Sequence, residues 1–482
     1  MDSRKIKILY ASPEVVPFGS TGGLGEVAGS LPEALNVLTA EESASGNTYD
    51  CRVIAPLYKI TKDKYLDRLT FLGETSVTLG WRNQYVGVFS YVDKHTTYYF
   101  IDNEYYFYRD GLYGFFDDGE RYAFFSKSIF VALPLMDFAP DIINANDWQT
   151  ALVPVYQTSV YRRQFMKTVF TIHNVRYQGQ FGQGIYDSVV DIPWESRHLL
   201  AYGNDVNFMK GGIECANAFS TVSPTYAEEL KNPAFAFGME GIVRRNAHKL
   251  CGILNGINMT LYDPETDPAI AGHFSAGNIR GKGVCKRALQ REVGLPESKA
   301  PLIIVITRLA YGKGMDIVTP VIDQLLYEND MQFVVLGTGE YEYEEFFRGL
   351  EARHPDKVRA LIRFDSALSH RMYAAADMIL VPSYTEPCGL TQMIGCRYGT
   401  VPVVRETGGL KDSIQDCTLG EGNGFVFRDY TPESLKQAVE RALALYRDRR
   451  NWNKLVKYDL GVDFSWARSA HEYARLYDSL MD

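Results

Sequence analysis

No run of Lys and Arg forms a basic stripe in this chain, and its net charge is −9, so nothing offers itself to neutralise a nucleic-acid backbone. No apolar stretch approaches the ~18 residues of a membrane span. Charged Asp2, Arg4 and Lys5 lead straight into a strand-like Ile6-Lys-Ile-Leu-Tyr-Ala, leaving no apolar core for a signal peptide. The seven cysteines include no C-x-x-C and no disulfide-scaffold spacing, so a reducing, cytoplasmic setting is expected. No D-x-D pair is present to hold a metal on a diphosphate, and neither a metal nor a cofactor is expected. Low-complexity segments are missing too. What remains is ordinary for a soluble globular protein: 46% hydrophobic and 23% charged residues in 482, a length that implies two or three domains.

Short apolar runs alternate with helical stretches: Ile6 to Leu9, Arg52 to Ala55, Asp141 to Asn144, Thr168 to Ile172, and Ala218 to Val222. The rhythm restarts at Pro301 to Thr307 and continues through Gln332 to Leu336, Ile362 to Phe364, Met378 to Val381 and Val401 to Val404. This is the βαβ pattern of parallel sheets covered on both faces, and it predicts an α/β chain of two doubly wound domains. Ile253 to Asn258 and the Pro/Asp-rich Asp263 to Pro268 read as the linker, giving domains of residues 1–255 and 256–482. From Trp466, the spacing of Trp466, Ala470, Tyr473 and Leu476 predicts a final helix. Aromatic residues are dense, 32 Tyr and 26 Phe, and crowd between Tyr91 and Tyr122, where they fit packed strand faces or a platform for sugars.

One phrase occurs twice. Ser20-Thr-Gly-Gly-Leu-Gly-Glu26 is echoed by Glu406-Thr-Gly-Gly-Leu-Lys-Asp412, each after a strand-like run and before a helical one. Paired glycines let backbone approach a ligand, and helix starts favour anions. Gly23, Gly25 and Gly29 miss the dinucleotide spacing G-x-G-x-x-G by one residue, and no acidic residue ends a second strand at the required distance. In the second half, Arg308 and Lys313 flank the turn that follows a strand, where an open sheet binds ligands; they are either solvated surface cations or a diphosphate site. Glu386, in Val381-Pro-Ser-Tyr-Thr-Glu-Pro-Cys-Gly-Leu-Thr-Gln392, is either a helix-start charge or an acceptor for hydroxyls beside a backbone nest. His173 ends Thr171-Ile-His-Asn174, and Asn144-Ala-Asn-Asp-Trp148 ends another strand.

The stretches STGGLGEV, NDWQTALVPVY, TIHNVRYQGQF, GILNGIN, TRLAYGKGMDI, VPSYTEPCGLTQM, ETGGLKDSI and DFSWARSAHEYARLY, in this order, resemble the bacterial glycogen synthase and plant starch synthase family along nearly the whole chain. The resemblance implies a GT-B fold, two Rossmann-like domains facing across a cleft, with the last helix packing back on the first. It implies a retaining glucosyltransferase carrying glucose from ADP-glucose to the non-reducing end of an α-1,4-glucan, glycogen or malto-oligosaccharide. By the same resemblance, Arg308 and Lys313 bind the diphosphate and stabilise its departure, Glu386 holds the donor glucose, and His173 lies over that sugar. Donor contacts fall to Thr21, Gly22, Gly23, Asn255, Cys388, Gly389, Leu390, Thr391, Thr407 and Gly408, and Phe364 stacks on the adenine.

The chain departs from the family in places. Ser20 stands where the family's first loop carries Lys, Glu26 where it carries Asp, and Asn144 and Asn146 where it carries His; Asn258 replaces Asp. Losing a cation from a donor loop forfeits a contact of roughly 1.5–3 kcal/mol. Two expectations follow: an active synthase with weaker donor binding or an altered sugar-nucleotide preference, or a weakly active or inactive paralogue that binds glucan or a partner synthase.

Overall fold

The computed structural model of the chain describes residues 4–481. It divides into two compact units: one runs to Gly256 and resumes at Trp466, and the other is Ile257–Ser465.

In the first unit, nine strands form one sheet. Their spatial order is Leu250–Gly252, Ala218–Thr221, Lys167–Ile172, Ile142–Asn146, Lys5–Ala11, Thr48–Pro56, Thr96–Asp102, Arg82–Asp93 and Thr70–Leu79. Neighbours pair in parallel as far as Thr96–Asp102. The last two joins are antiparallel. Central strands are covered on both faces, so every residue of Ile142–Asn146 is buried and the run reads without alternation. The antiparallel extension is a hairpin turned by Gly80 and Trp81, with Gly80 at φ +57°, the left-handed geometry that a tight hairpin turn needs. Polar residues interrupt these strands throughout, which is why no apolar run marks them in the sequence. The aromatic segment divides: Tyr98, Tyr99, Phe100, Tyr106, Phe107 and Tyr122 are buried, while Tyr105 and Phe116 stand in solvent.

The helix Trp466–Asp478 belongs to this first unit. Trp466, Ala470, Tyr473, Ala474 and Tyr477 enter the same apolar core as Ile6, Ile8 and Tyr10 of the Lys5–Ala11 strand. Tyr477 donates to buried Asn144 Oδ1 at 3.0 Å, and Ser469 Oγ to the Leu254 carbonyl at 2.6 Å. Each such buried ring contributes about 1.5–3 kcal/mol by leaving water.

The second unit is a six-stranded sheet, parallel throughout, in the order Val358–Leu361, Gln332–Leu336, Leu302–Ile306, Met378–Val381, Val401–Arg405, Phe425–Phe427. Numbered along the chain this is 3-2-1-4-5-6, the doubly wound Rossmann order, whose switch point lies between Leu302–Ile306 and Met378–Val381. Two strands differ from the sequence reading: Phe425–Phe427 is an additional edge strand, and Ile362 to Phe364 lies past the strand that ends at Leu361, where the Arg363 N–H turns back to the Leu361 carbonyl at 2.9 Å. All seven cysteines are free thiols. No helix among the described residues is long and apolar enough to cross a membrane.

Candidate active site

In the first unit the strand Lys5–Ala11 lies between Thr48–Pro56 and Ile142–Asn146, so chain reversal occurs beside the loop it feeds. That loop is anchored by buried Glu14, whose Oε2 accepts from the Thr21 N–H and, at 2.9 Å, from the Thr21 hydroxyl. Burial raises the Glu14 carboxyl, and the Thr21 donors oppose the shift. Gly25 is needed for packing: a Cβ there would lie 2.2 Å from Ser20 Oγ. Gly22 and Gly23 are different. Both are exposed, a Cβ on either would meet nothing within 4 Å, and Gly22 is extended at φ −175°. The protein's own packing therefore makes no demand for glycine at these two positions.

Asp147 follows the Ile142–Asn146 strand with φ +55°, a left-handed conformation costly for Asp outside a designed turn. Its Oδ1 accepts from the His173 N–H at 2.7 Å and the Asn174 N–H at 3.3 Å, fixing the end of the Lys167–Ile172 strand. Burial first, and then the Glu14 charge, push Asp147 up to about 7. The His173 ring is buried, its Nε2 2.9 Å from Asn146 Oδ1. The Asn146 amide nitrogen already donates to the Ala11 and Asn144 carbonyls, so His173 Nε2 carries the proton and Nδ1 remains an acceptor. Burial pushes the imidazole down to about 3, so it is neutral at physiological pH. Asn255 is buried and its Oδ1 has no hydrogen-bond partner among the described residues.

In the second unit, Arg308 follows the strand Leu302–Ile306 at the switch point, exposed and without an ion-pair partner among the described residues. Gly314 turns the chain at φ +80°, and a Cβ there would lie 2.2 Å from the Pro382 carbonyl oxygen, so only glycine lets this turn meet the loop after Met378–Val381. The Lys313 ammonium donates to both oxygens of Glu386, at 2.9 and 2.7 Å, and Ser383 Oγ donates to Glu386 Oε2 at 2.7 Å. Glu386 is 8% exposed, and these three contacts satisfy its buried side-chain oxygens. Gly409 seats the second TGGL loop on the same group: its N–H donates to the Glu386 carbonyl at 3.0 Å, and a Cβ would fall 2.2 Å from the Cys388 oxygen. Arg308, Lys313, Glu386, Cys388, Gly389, Leu390, Thr391, Thr407 and Gly408 thus lie on three loops at the carboxyl ends of adjoining strands. Phe364 stands apart: it is 91% exposed, after an edge strand two strands from the switch point.

Residues 7–245 match the family model "Starch synthase catalytic domain", and residues 286–457 match "Glycosyl transferases group 1". The chain is 43% identical to a glycogen synthase of Bacillus cereus (strain Q1), over 99% of this chain and 100% of that one. The chain belongs to the glycogen and starch synthase family. A glycogen synthase of Geobacillus stearothermophilus is 42% identical over 99% of this chain and 98% of its own length. The catalytic domain of starch synthase IV from Arabidopsis thaliana, solved bound to ADP and acarbose, superposes with a TM-score of 0.87 at 33% identity, covering 98% of this chain and 99% of that one. A sucrose-phosphate synthase of Thermosynechococcus elongatus, 17% identical with a TM-score of 0.62 over 99% of both chains, shares the fold. The fold is therefore GT-B, as the family resemblance implies, and the chain is a glycosyltransferase of the glycogen and starch synthase kind.

Two of the departures from the family are absorbed by the first unit's interior. Asn144 donates to Thr171 Oγ1 at 3.0 Å and accepts from Tyr477; Asn146 orients the His173 ring. Ser20 is exposed and donates to the Gly22 carbonyl at 3.2 Å, presenting no charge. Sequence reasoning missed Glu14, and it quoted Asp147 within its motif without its bracing contacts: one braces a loop and the other a strand end across gaps in the chain. Asp147's only local signal, its left-handed backbone, has no sequence signature.

Proposed function

We propose that this chain transfers glucose from ADP-glucose to the 4-hydroxyl at the non-reducing end of an α-1,4-glucan, glycogen or malto-oligosaccharide, with retention at the anomeric carbon. The nucleotide sugar falls to the second unit and the acceptor glucan to the first. The observation that carries the reading is Arg308, a guanidinium without an ion-pair partner among the described residues, after the switch-point strand of a Rossmann-type sheet and five residues before Lys313, which holds Glu386. A guanidinium suits two diphosphate oxygens at once. Lys313 spends two of its three N–H donors on Glu386 and keeps one for the diphosphate. Together they stabilise negative charge as the glycosidic C–O bond lengthens.

Glu386, held by Lys313 and Ser383, then receives donor sugar hydroxyls rather than attacking carbon. Departure of the diphosphate leaves an oxocarbenium-like centre, and the leaving phosphate takes the acceptor's hydroxyl proton from the same face, which preserves configuration. Neutral His173 offers Nδ1 to a sugar hydroxyl, and Asn255 its Oδ1, which has no partner among the described residues. On the first unit, the open glycines 22 and 23 beside Thr21 leave room for close approach of a ligand; on the second, Cys388, Gly389, Leu390, Thr391, Thr407 and Gly408 are the residues given to the donor, and Phe364 to its adenine. The expected result with radiolabelled ADP-glucose and glycogen is label in the polymer; none at high donor concentration would end the proposal and leave the glucan-binding paralogue. Arg308→Ala should lower kcat/KM by about 10²–10³ with circular dichroism unchanged.

A further inference from the structure

The second unit contains a cavity of about 570 Å³ that the chemistry above leaves unused. Arg280 and Arg287 reach it from the helix Arg280–Glu292, Lys299 from just before the strand Leu302–Ile306, and Arg449 from the start of the helix Arg449–Asp459. Asp377, immediately before Met378–Val381, lies on the same wall. The cavity therefore sits at the amino ends of these strands, while Arg308 and Glu386 follow their carboxyl ends. Five residues of strand at about 3.3 Å each put roughly 16 Å between the two ends, beyond the reach of one small ligand's phosphate.

Its charge runs against that of the chain. Six cationic side chains line it, the four above with Lys282 and Lys286, against the carboxylates of Glu297 and Asp377. Both carboxylates are engaged, Asp377 with Lys286 at 2.6 Å and Glu297 with Arg291 at 3.1 Å. Lys282 is occupied by the Tyr398 carbonyl at 2.8 Å and Thr400 Oγ1 at 3.0 Å. Arg280, Arg287 and Lys299 have no carboxylate partner among the described residues, and all three are exposed. Arg449 stacks 3.7 Å over the ring of buried Tyr446 and donates to the Lys299 carbonyl at 3.0 Å, so it is held in place, and a cavity of this volume is several times larger than a phosphate group. In a protein of net charge −9, a walled concavity with unneutralised guanidinium and ammonium groups is built for an anion with an organic body.

We propose that this cavity binds a small phosphate ester, its phosphate held by Arg280, Arg287 and Lys299 and its body filling the rest of the cavity, at a site separate from Arg308. Glucose 1-phosphate, AMP and inorganic phosphate, titrated calorimetrically into the full chain, distinguish a sugar from a nucleotide source and either from phosphate alone. One ester should bind with one-to-one stoichiometry and more tightly than inorganic phosphate. Arg287→Ala and Lys299→Ala should each weaken it about tenfold, and Arg308→Ala should leave it unchanged. Both substituted residues are exposed, so the variants retain their fold, which circular dichroism checks. Absence of binding by both esters, equal affinity for inorganic phosphate, or loss in Arg308→Ala without loss in Arg287→Ala would each overturn the proposal. None of these readouts depends on glucosyl transfer.

Discussion

At Ser20 the chain sets a hydroxyl where its family sets an ammonium, and no neighbouring cation takes its place in the loop Ser20 to Gly25. A restored charge-assisted contact is worth roughly 1.5–3 kcal/mol, so Ser20→Lys should lower the KM for ADP-glucose about tenfold or more, with kcat little changed, in initial-rate assays at low salt. His173 makes a second residue-scale prediction. Burial holds its ring at about 3 against an ordinary 6.5, so it should stay neutral with the proton on Nε2 from pH 5 to 8, observable as a non-titrating imidazole by NMR. The sign for stability follows: the unfolded ring takes up a proton near 6.5 while the native ring does not, so its contribution to stability is present above 6.5 and lost as pH falls toward 3. Asp147, pushed up to about 7, works in the opposite sense, because the native carboxyl holds its proton where the unfolded one has released it. His173→Gln should therefore remove one proton's share of the acid-side decline, about 1.4 kcal/mol per pH unit at most, in pH-resolved denaturation.

At the scale of elements, close backbone approach decides what can vary. Gly409→Ala places a methyl 2.2 Å from the Cys388 oxygen, so the loop carrying Glu386 must shift; a loss of roughly 1–3 kcal/mol in denaturant midpoint and a fall in kcat together are expected. This contact also marks how far the sequence could be read. The central parallel strands were legible because burial on both faces writes them as apolar runs, as in Leu302–Ile306 and Met378–Val381, whereas the parallel strands Thr96–Asp102, Leu250–Gly252 and Phe425–Phe427 were not read. The hairpin Thr70–Leu79 with Arg82–Asp93 was not, since largely solvent-facing strands carry polar residues. That Arg308, Lys313 and Glu386 follow strands of the second sheet was readable from the sequence. That Lys313 and Glu386 bind each other was not, because residues far apart in the chain meet only when Gly314 and Gly409 let their loops close on one another.

At the scale of the molecule, the first unit is discontinuous. Its core takes Trp466, Tyr473 and Tyr477 from a helix that follows the entire second unit. Tyr477→Phe removes the hydroxyl bonded to buried Asn144, at a cost of about 1–3 kcal/mol. Calorimetry should show it confined to the unfolding of the first unit, with that of Ile257–Ser465 unmoved. The same interleaving bears on biosynthesis. Translation delivers a chain in order, and domains commonly mature in the order they are made. Here the nine-stranded sheet emerges first yet lacks part of its interior until residues 466–478 are out, whereas the six-stranded unit is contained in one unbroken stretch. The later-made unit is thus the first able to finish, and the earlier one stays open at a ring-lined face until the segment Trp466–Asp478 has passed the ribosome.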